Sequence, residues 1–385
     1  MDRKTTSLTI RPTLFSYIVI FLTAILAVSI GAESPPPGSS TQDQNDKQYL
    51  HDGPYVFWIG DSVIVKNLCD GQIKTSVYAT GHSIPIPRGC GDTLPSLEIF
   101  ARAPTPEPDT YTNIPKIFAV SDIHGNFDKM VALLQGNGII DEKLHWRWDT
   151  GHLVFVGDIF DRGPKMTEAL WFIYRLEKEA RKAGGNVHLI LGNHEVLVLR
   201  NDIRYVHEKY ITLTSKKLRI RMSDLYGPET ELGRWLRSKN IIFKINNILF
   251  VHGGVSPILM RSGFTSQRVN SEIRKSLDAR DYLLRFDKDL ALLFGRQGPL
   301  WYRGYFPNRD DPPASTEQID SLLTFFDAST VVVGHTIGET ITSLYNGRIF
   351  AIDTGMHTGS PGEGLFWEND KFYKCDINGN QIPMK

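Results

Sequence analysis

Apolar runs that stop abruptly at Asp, His, Asn and Gly recur along this chain, and they constrain its fold more than any other feature. Residues 117–120, 153–156, 187–191, 248–251 and 331–333 read as buried strands. They are followed in turn by Ser121-Asp122-Ile123-His124-Gly125-Asn126, Gly157-Asp158-Ile159-Phe160-Asp161-Arg162-Gly163, Gly192-Asn193-His194-Glu195, His252-Gly253-Gly254 and Gly334-His335-Thr336. Parallel strands bring their carboxyl ends to one edge of a sheet, and ligands bind just beyond that edge. Asp122, His124, Asp158, Asn193, His252 and His335 are therefore expected to converge. Oxygen and nitrogen donors in that number suit two divalent metal ions.

The elements between these clusters predict an α/β architecture. Met130, Leu133 and Leu134 mark a helix ending near Gly136. Ala169, Phe172, Ile173, Leu176 and Ala180 mark a second, closed by Gly184-Gly185. Strand, motif and helix alternate from residue 116 onward. Before that, residues 49–103 look β-rich, with Asp70-Gly71 placed for a hairpin turn between 63–66 and 74–78. Prolines at 104, 106, 108 and 115 mark the boundary. The expected division is a leader over 1–32, a polar tether over 33–48, a small β-rich segment over 49–110 and a catalytic domain over 111–385. Residues 200–240 and 266–297 read as helix-rich and are expected to sit over the carboxyl edge, where they would shape the cleft.

The leader has Arg3, Lys4 and Arg11 ahead of an apolar stretch over 14–30, then Gly31 and Ala32. This is the pattern of a secretory signal, and the expectation is export to a periplasmic or secreted location. A membrane is a partner only if that segment is retained as an anchor. The 43 basic and 43 acidic residues balance, which argues against a nucleic-acid partner. Export permits a disulfide. Cys69–Cys90 is the first choice of pair, with Cys375 left over, and three free thiols the alternative. None of these cysteines has Arg six positions later, so a cysteine-based phosphatase loop is not supported.

Hydrolysis of a phosphate ester needs a nucleophile, charge neutralisation and a proton for the leaving group. Two metals would activate a hydroxide and clamp the phosphoryl oxygens. Asp122, His124 and Asp158 would hold the first ion, with Asp158 bridging, and Asn193, His252 and His335 would complete the second. Donors without thiolate favour Mn, Fe or Zn. Asp122 and His124 are two apart, so an extended chain end would send both to one side. His194 is the candidate general acid, with Asp161 orienting it. Arg162 is the candidate phosphate ligand, through a two-pronged contact.

These residues resemble a known superfamily. Asp-x-His-Gly, Gly-Asp-x-x-Asp-Arg-Gly and Gly-Asn-His-Glu are similar to the motifs of calcineurin-like metallophosphoesterases, in particular the phosphoprotein phosphatase group. Ser121 stands where the family has Gly, which is expected to alter a turn and not a ligand. Leu232-Gly233-Arg234-Trp235-Leu236, residues 250–256 and residues 298–305 resemble the Shewanella-like protein phosphatases, of the cold-active bacterial protein-tyrosine phosphatase type. The resemblance spans about residues 50–375. It implies a four-layer sandwich of two mixed β-sheets flanked by helices, and it implies Arg303 as a second phosphate ligand. The implied activity is a metal-dependent phosphoprotein phosphatase, with phosphoprotein or phosphopeptide substrates and phosphotyrosine among them. Two alternatives remain: a dinucleoside polyphosphate hydrolase, suggested also by residues 350–355, and a non-catalytic binding protein on the same scaffold. Plainer readings hold elsewhere. Trp301 and Tyr302 read as packing, Glu195 as a brace for its loop, and His357 and Asp353 as residues near the rim without an assigned role.

Overall fold

A computed structural model describes residues 50–81, 83–86, 90, 97–99, 101, 104–307 and 313–385. The expected leader and tether lie outside the described residues. Among the described residues no helix is long and apolar enough to cross a membrane.

The chain opens with an antiparallel sheet of β1 (Asp52–Ile59), β2 (Ser62–Cys69) and β3 (Gln72–Ala79). Asp70 and Gly71 take φ of 50° and 70°, the paired left-handed residues of a two-residue hairpin loop. β4 (Ile84–Ile86) and β5 (Leu97–Ile99) form a small ribbon. Cys69 and Cys90 are joined in a disulfide, and Cys375 is free and buried. The three-stranded sheet is fastened to the rest of the chain. The Trp58 amide donates to the Glu229 carbonyl at 2.8 Å. The Trp171 indole donates to the Pro54 carbonyl at 2.8 Å.

Two six-stranded sheets follow. The order in one is β17-β16-β15-β7-β8-β9, where β7 is Lys116–Val120, β8 His152–Phe155, β9 Asn186–Leu189, β15 Gly364–Glu368, β16 Lys371–Cys375 and β17 Gln381–Met384. β7, β8 and β9 run parallel, and β15 to β17 add antiparallel strands at one side. The order in the other is β13-β14-β12-β11-β10-β6, with β6 at Thr110–Tyr111, β10 at Ile242–Ile245, β11 at Ile248–Val251, β12 at Thr330–Val333, β13 at Thr342–Leu344 and β14 at Ile349–Ala351. β11, β12 and β14 are parallel.

Alternation along β7 explains why the sheets stack. Ile117 and Ala119 face the second sheet, in a cluster with Val154, Phe243, Phe250, Val332 and Phe350. Phe118 and Val120 point the other way, into the cluster that holds Leu133, Leu134, Phe172 and Leu176 of the helices Phe127–Gly136 and Met166–Lys182. A strand buried on both faces must be apolar throughout, which is why these runs stand out in the sequence. Helix, sheet, sheet and helix make the four layers that the resemblance implied.

One expectation needs correcting. Residues 266–297 hold the helices Ser266–Ser276, Asp281–Phe286 and Lys288–Phe294, and none of them lines the cavity described below, whereas Tyr205 of the 200–240 stretch does. The Asn270 carboxamide, on the helix Ser266–Ser276, accepts from the Ile241 and Ile242 amides (2.7 and 3.1 Å) and so ties that helix to the start of β10, the end that pairs with Val251 at the carboxyl edge.

Candidate dimetal active site

Both sheets bring their carboxyl ends to one rim. The first contributes the residues after β7, β8 and β9, the second those after β11, β12 and β14. The turns are not extended. Asp122, His124, Asp158, Asp161, Arg162 and His335 have φ of 55°, 46°, 56°, 72°, 64° and 65°. Left-handed backbone at a residue with a Cβ costs on the order of 1–3 kcal/mol and persists only where the surroundings over-determine it. Asp122 and His124 therefore converge through a left-handed turn, not through the alternation of an extended end.

The turns are held by one another and by Glu195. The His124 amide donates to the Asp158 carbonyl at 2.9 Å, and the Gly125 amide to that of Ile159 at 2.9 Å. The Glu195 carboxylate accepts from four amides, those of Asp158, Ile159, Phe160 and Gly192, at 2.7–3.0 Å. It braces the loops as expected, through backbone hydrogen bonds. A carboxamide in its place would press an N–H₂ against amide donors. Glu195→Gln is expected to lower stability by about 1–3 kcal/mol, measured as a lower urea midpoint at unchanged slope. Gly192 has a steric reason: a Cβ there would lie 2.1 Å from Asp158 Oδ1. Ser121, the departure from the family motif, puts its hydroxyl within reach of the Asp122 carboxylate and the Val156 carbonyl, and displaces no donor.

The donor atoms fit divalent cations on the structure's own terms. His124 Nδ1 donates to the Phe160 carbonyl (2.8 Å) and His252 Nδ1 to the Val156 carbonyl (2.7 Å). Each ring, when neutral, presents an Nε2 lone pair. That of His252 faces Asp158 Oδ2 at 3.2 Å and Asn193 Oδ1 at 2.9 Å. That of His124 faces Asp158 Oδ2 at 3.7 Å and Asp122 Oδ1 at 3.9 Å. Lone pairs pointed at lone pairs in a buried place need a positive charge between them. Burial alone would push His252 down, but the Asp158 charge and hydrogen bond outweigh it and lift the ring to about 10, a proton doing part of a cation's work. Burial pushes His124 to about 3, which keeps it neutral and able to bind a metal. His335 Nε2 is buried without a hydrogen-bond partner, and the donors of Asp158, His252 and His335 lie within 4.8 Å of one another. The donors of His124, Asp158 and His194 satisfy the same condition.

His194 is set apart by its other nitrogen. Its Nδ1 donates to Asp161 Oδ2 at 2.6 Å, while Nε2 faces Arg162 Nη2 at 3.4 Å. Burial favours the neutral ring, but the charges of Asp158 and Asp161 prevail and hold its pKa above the usual value. Arg162 Nη1 also meets His357 Nε2 at 2.7 Å. Arg303 donates to the His335 carbonyl at 3.5 Å. Eight of the ten residues expected at the site, Asp122, His124, Asp158, Asn193, His194, His335, Arg162 and Arg303, line a single cavity of about 310 Å³. Asp161 and His252 lie directly behind it, through the contacts given above.

Other lining residues were not singled out by sequence. Tyr205, Thr336 and Ile337 line the cavity, and so does Trp301, which had read as packing. The Trp301 ring lies edge-on to His335 at 5.6 Å. Tyr302 does pack, against Tyr305. His357 and Asp353 reach the cavity too. The clue for His357 was its place just past a strand end; Tyr205 gave none, because it sits in an insert with no strand before it.

Comparison with known proteins agrees with this geometry. The sequence profile of the calcineurin-like phosphoesterase family matches residues 115–339. Shewanella-like protein phosphatase 1 of Plasmodium berghei is 33% identical over 247 residues, covering 63% of this chain and 67% of its own. The symmetrical bis(5'-nucleosyl)-tetraphosphatase of Psychromonas ingrahamii is 26% identical over 305 residues, covering 70% and 99%. The crystal structure of the cold-active protein-tyrosine phosphatase of a psychrophilic Shewanella species superposes with a TM-score of 0.81 at 38% identity, over 87% of this chain and 99% of the other.

Proposed function

The chain belongs to the calcineurin-like phosphoesterases and is a phosphatase related to the Shewanella-like protein phosphatases; from that premise we propose an exported phosphoprotein phosphatase that accepts phosphotyrosine. The observation that carries the catalytic reading is the pairing of two features in one cavity: the oxygen and nitrogen donors gathered around Asp158, and the His194–Asp161 couple beside them.

Asp122, His124 and Asp158 would hold one ion, and Asp158, Asn193, His252 and His335 the other. Mn, Fe and Zn suit this donor set. When bound, the ions supply Lewis acidity, which lowers the pKa of water and draws charge from the phosphoryl oxygens. The rest falls to the protein. Arg162 and Arg303 bind the phosphoryl oxygens and orient the phosphorus. As the bond from phosphorus to the leaving oxygen breaks, His194 Nε2 gives that oxygen its proton. Asp161 stabilises the imidazolium before the transfer and fixes the ring throughout. His357, through Arg162, steadies the guanidinium.

Phosphotyrosine is favoured by the walls. Tyr205, Trp301 and Ile337 offer apolar surface at a cavity floored by charge, and a relative of 38% identity is described as a protein-tyrosine phosphatase. Export is supported by the leader pattern and by the Cys69–Cys90 disulfide, which suits an oxidising compartment. Purified protein loaded with Mn²⁺ is expected to hydrolyse p-nitrophenyl phosphate and phosphotyrosyl peptides, and to stop when the metal is chelated. Turnover that survives chelation would contradict the proposal. Preference for diadenosine tetraphosphate over the peptides would favour the nucleotide-hydrolase reading.

A further inference from the structure

The β-rich segment contributes none of its described residues to the cavity, yet a buried ionic contact links it to the loop that presents Asp161 and Arg162. We propose that Asp52 and Lys209 are positioning residues for Arg162: Asp52 holds the Lys209 ammonium, and the ammonium fixes the Pro164 carbonyl and with it the turn just before it.

The contacts form a continuous path. The side chains of Asp52, the first residue of β1, and of Lys209 are 0% and 3% exposed, with Nζ 3.5 Å from Asp52 Oδ1. Asp52 Oδ2 accepts from the hydroxyls of Tyr55 (2.7 Å) and Thr214 (2.6 Å), which fix its plane. Lys209 Nζ also approaches Glu168 at 3.4 Å and donates to the Pro164 carbonyl at 2.9 Å. The Tyr210 hydroxyl donates to the same carbonyl at 2.7 Å and accepts from the Met166 amide at 2.7 Å. Pro164 lies two residues after Arg162, and between them the Gly163 amide donates back to the Asp161 carbonyl at 2.7 Å. The Arg162 amide donates to the Tyr205 carbonyl at 2.9 Å. The segment from 205 to 214 thus grips the loop at two points, and Asp52 anchors that segment from below.

The energetics argue that this contact sets geometry. Removing two charges from water is expensive, and a buried ion pair is often replaceable by neutral residues without loss of stability. Asp161 and Arg162, by contrast, sit in left-handed backbone that relaxes unless its surroundings hold it. A guanidinium displaced by as little as 1 Å loses much of its grip on a phosphoryl group. A positively charged donor on Pro164 O is the kind of contact that prevents this, since charge-assisted hydrogen bonds are the strong ones.

The inference rests on Arg162 as a phosphate ligand, and the experiment separates the two ideas. Wild type, Asp52→Asn, Lys209→Met and the double variant are compared for KM and kcat on p-nitrophenyl phosphate, inhibition by inorganic phosphate, and thermal melting. Each single variant leaves a charge buried without its partner and is expected to melt earlier, with KM and the phosphate inhibition constant raised about ten- to a hundredfold. The double variant is expected to regain most of the melting temperature, because neither member of the fully buried pair is left alone and only the part-exposed Glu168 loses a partner, yet to keep the raised KM and inhibition constant, with kcat changed less. Tyr210→Phe leaves the ion pair intact, removes the other hydrogen bond to Pro164, and is expected to raise KM by a smaller factor. If KM in the double variant returns to the wild-type value together with the melting temperature, or if KM is unchanged in all four variants, the contact is structural only and the inference is overturned. Wild-type protein without phosphatase activity would instead overturn the functional reading itself.

Discussion

Asp158→Asn is expected to cut turnover of an aryl phosphate about a thousandfold or more, even at saturating Mn²⁺. Asp158 sits where the two donor sets meet. Its Oδ2 faces His124 Nε2 at 3.7 Å and His252 Nε2 at 3.2 Å, and its Oδ1 accepts the His194 amide at 3.0 Å. The imidazoles of His252 and His194 outweigh its burial and hold its carboxyl well below the usual carboxylate range, so it is charged under all ordinary conditions. Asn keeps the shape and can still accept from the His194 amide. Its N–H₂ group would then point at the lone pairs of His124 and His252 and satisfy them without any cation. The variant therefore stabilises the metal-free state while removing the central negative charge. Elemental analysis after loading is expected to show less bound metal, and steady-state kinetics a collapse of kcat. Near-normal turnover would refute the bridging role.

His194→Asn is expected to divide substrates by their leaving groups. A general acid contributes about 10²–10⁴-fold where the departing oxygen is basic. Phosphoserine and phosphothreonine peptides, which release alkoxides, should lose that much kcat. Phosphotyrosine releases a phenoxide and should lose less, and p-nitrophenyl phosphate least of all. Metal content should stay the same. This contrast matters because His194 also lies near enough to Asp158 and His124 to serve as a ligand. A ligand's loss would lower metal content and slow every substrate alike. Its Nδ1 bond to Asp161 is compatible with either role, so the leaving-group series is what separates them.

Much of the site was legible because its residues follow the least ambiguous elements of the chain. A strand buried on both faces must be a short, wholly apolar run, and Asp158 or His252 just past such a run is conspicuous. What could not be read depended on contacts between distant segments. Glu195, next to His194, read as a brace for its own loop; that its carboxylate gathers four amides from two loops is a tertiary fact. Tyr205 and Ile337 have no periodicity to mark them, and Trp301 is as apolar as any packing residue. Residues 266–297 had a helical pattern, but pattern does not say whether a helix lines a cavity, and these do not. Asp52 and Lys209 were invisible for the same reason, since a buried pair is far apart in sequence and each member alone resembles a surface charge. The convergence of Asp122 and His124 was anticipated with the wrong cause, because left-handed φ at Asp and His leaves little trace in sequence.

Anomalous diffraction from crystals soaked in Mn²⁺ tests the central claim most directly. Two peaks should flank Asp158, one in reach of Asp122 and His124, the other in reach of Asn193, His252 and His335. A single peak away from Asp158, or a fully loaded crystal with no peak in this cavity, would contradict the account.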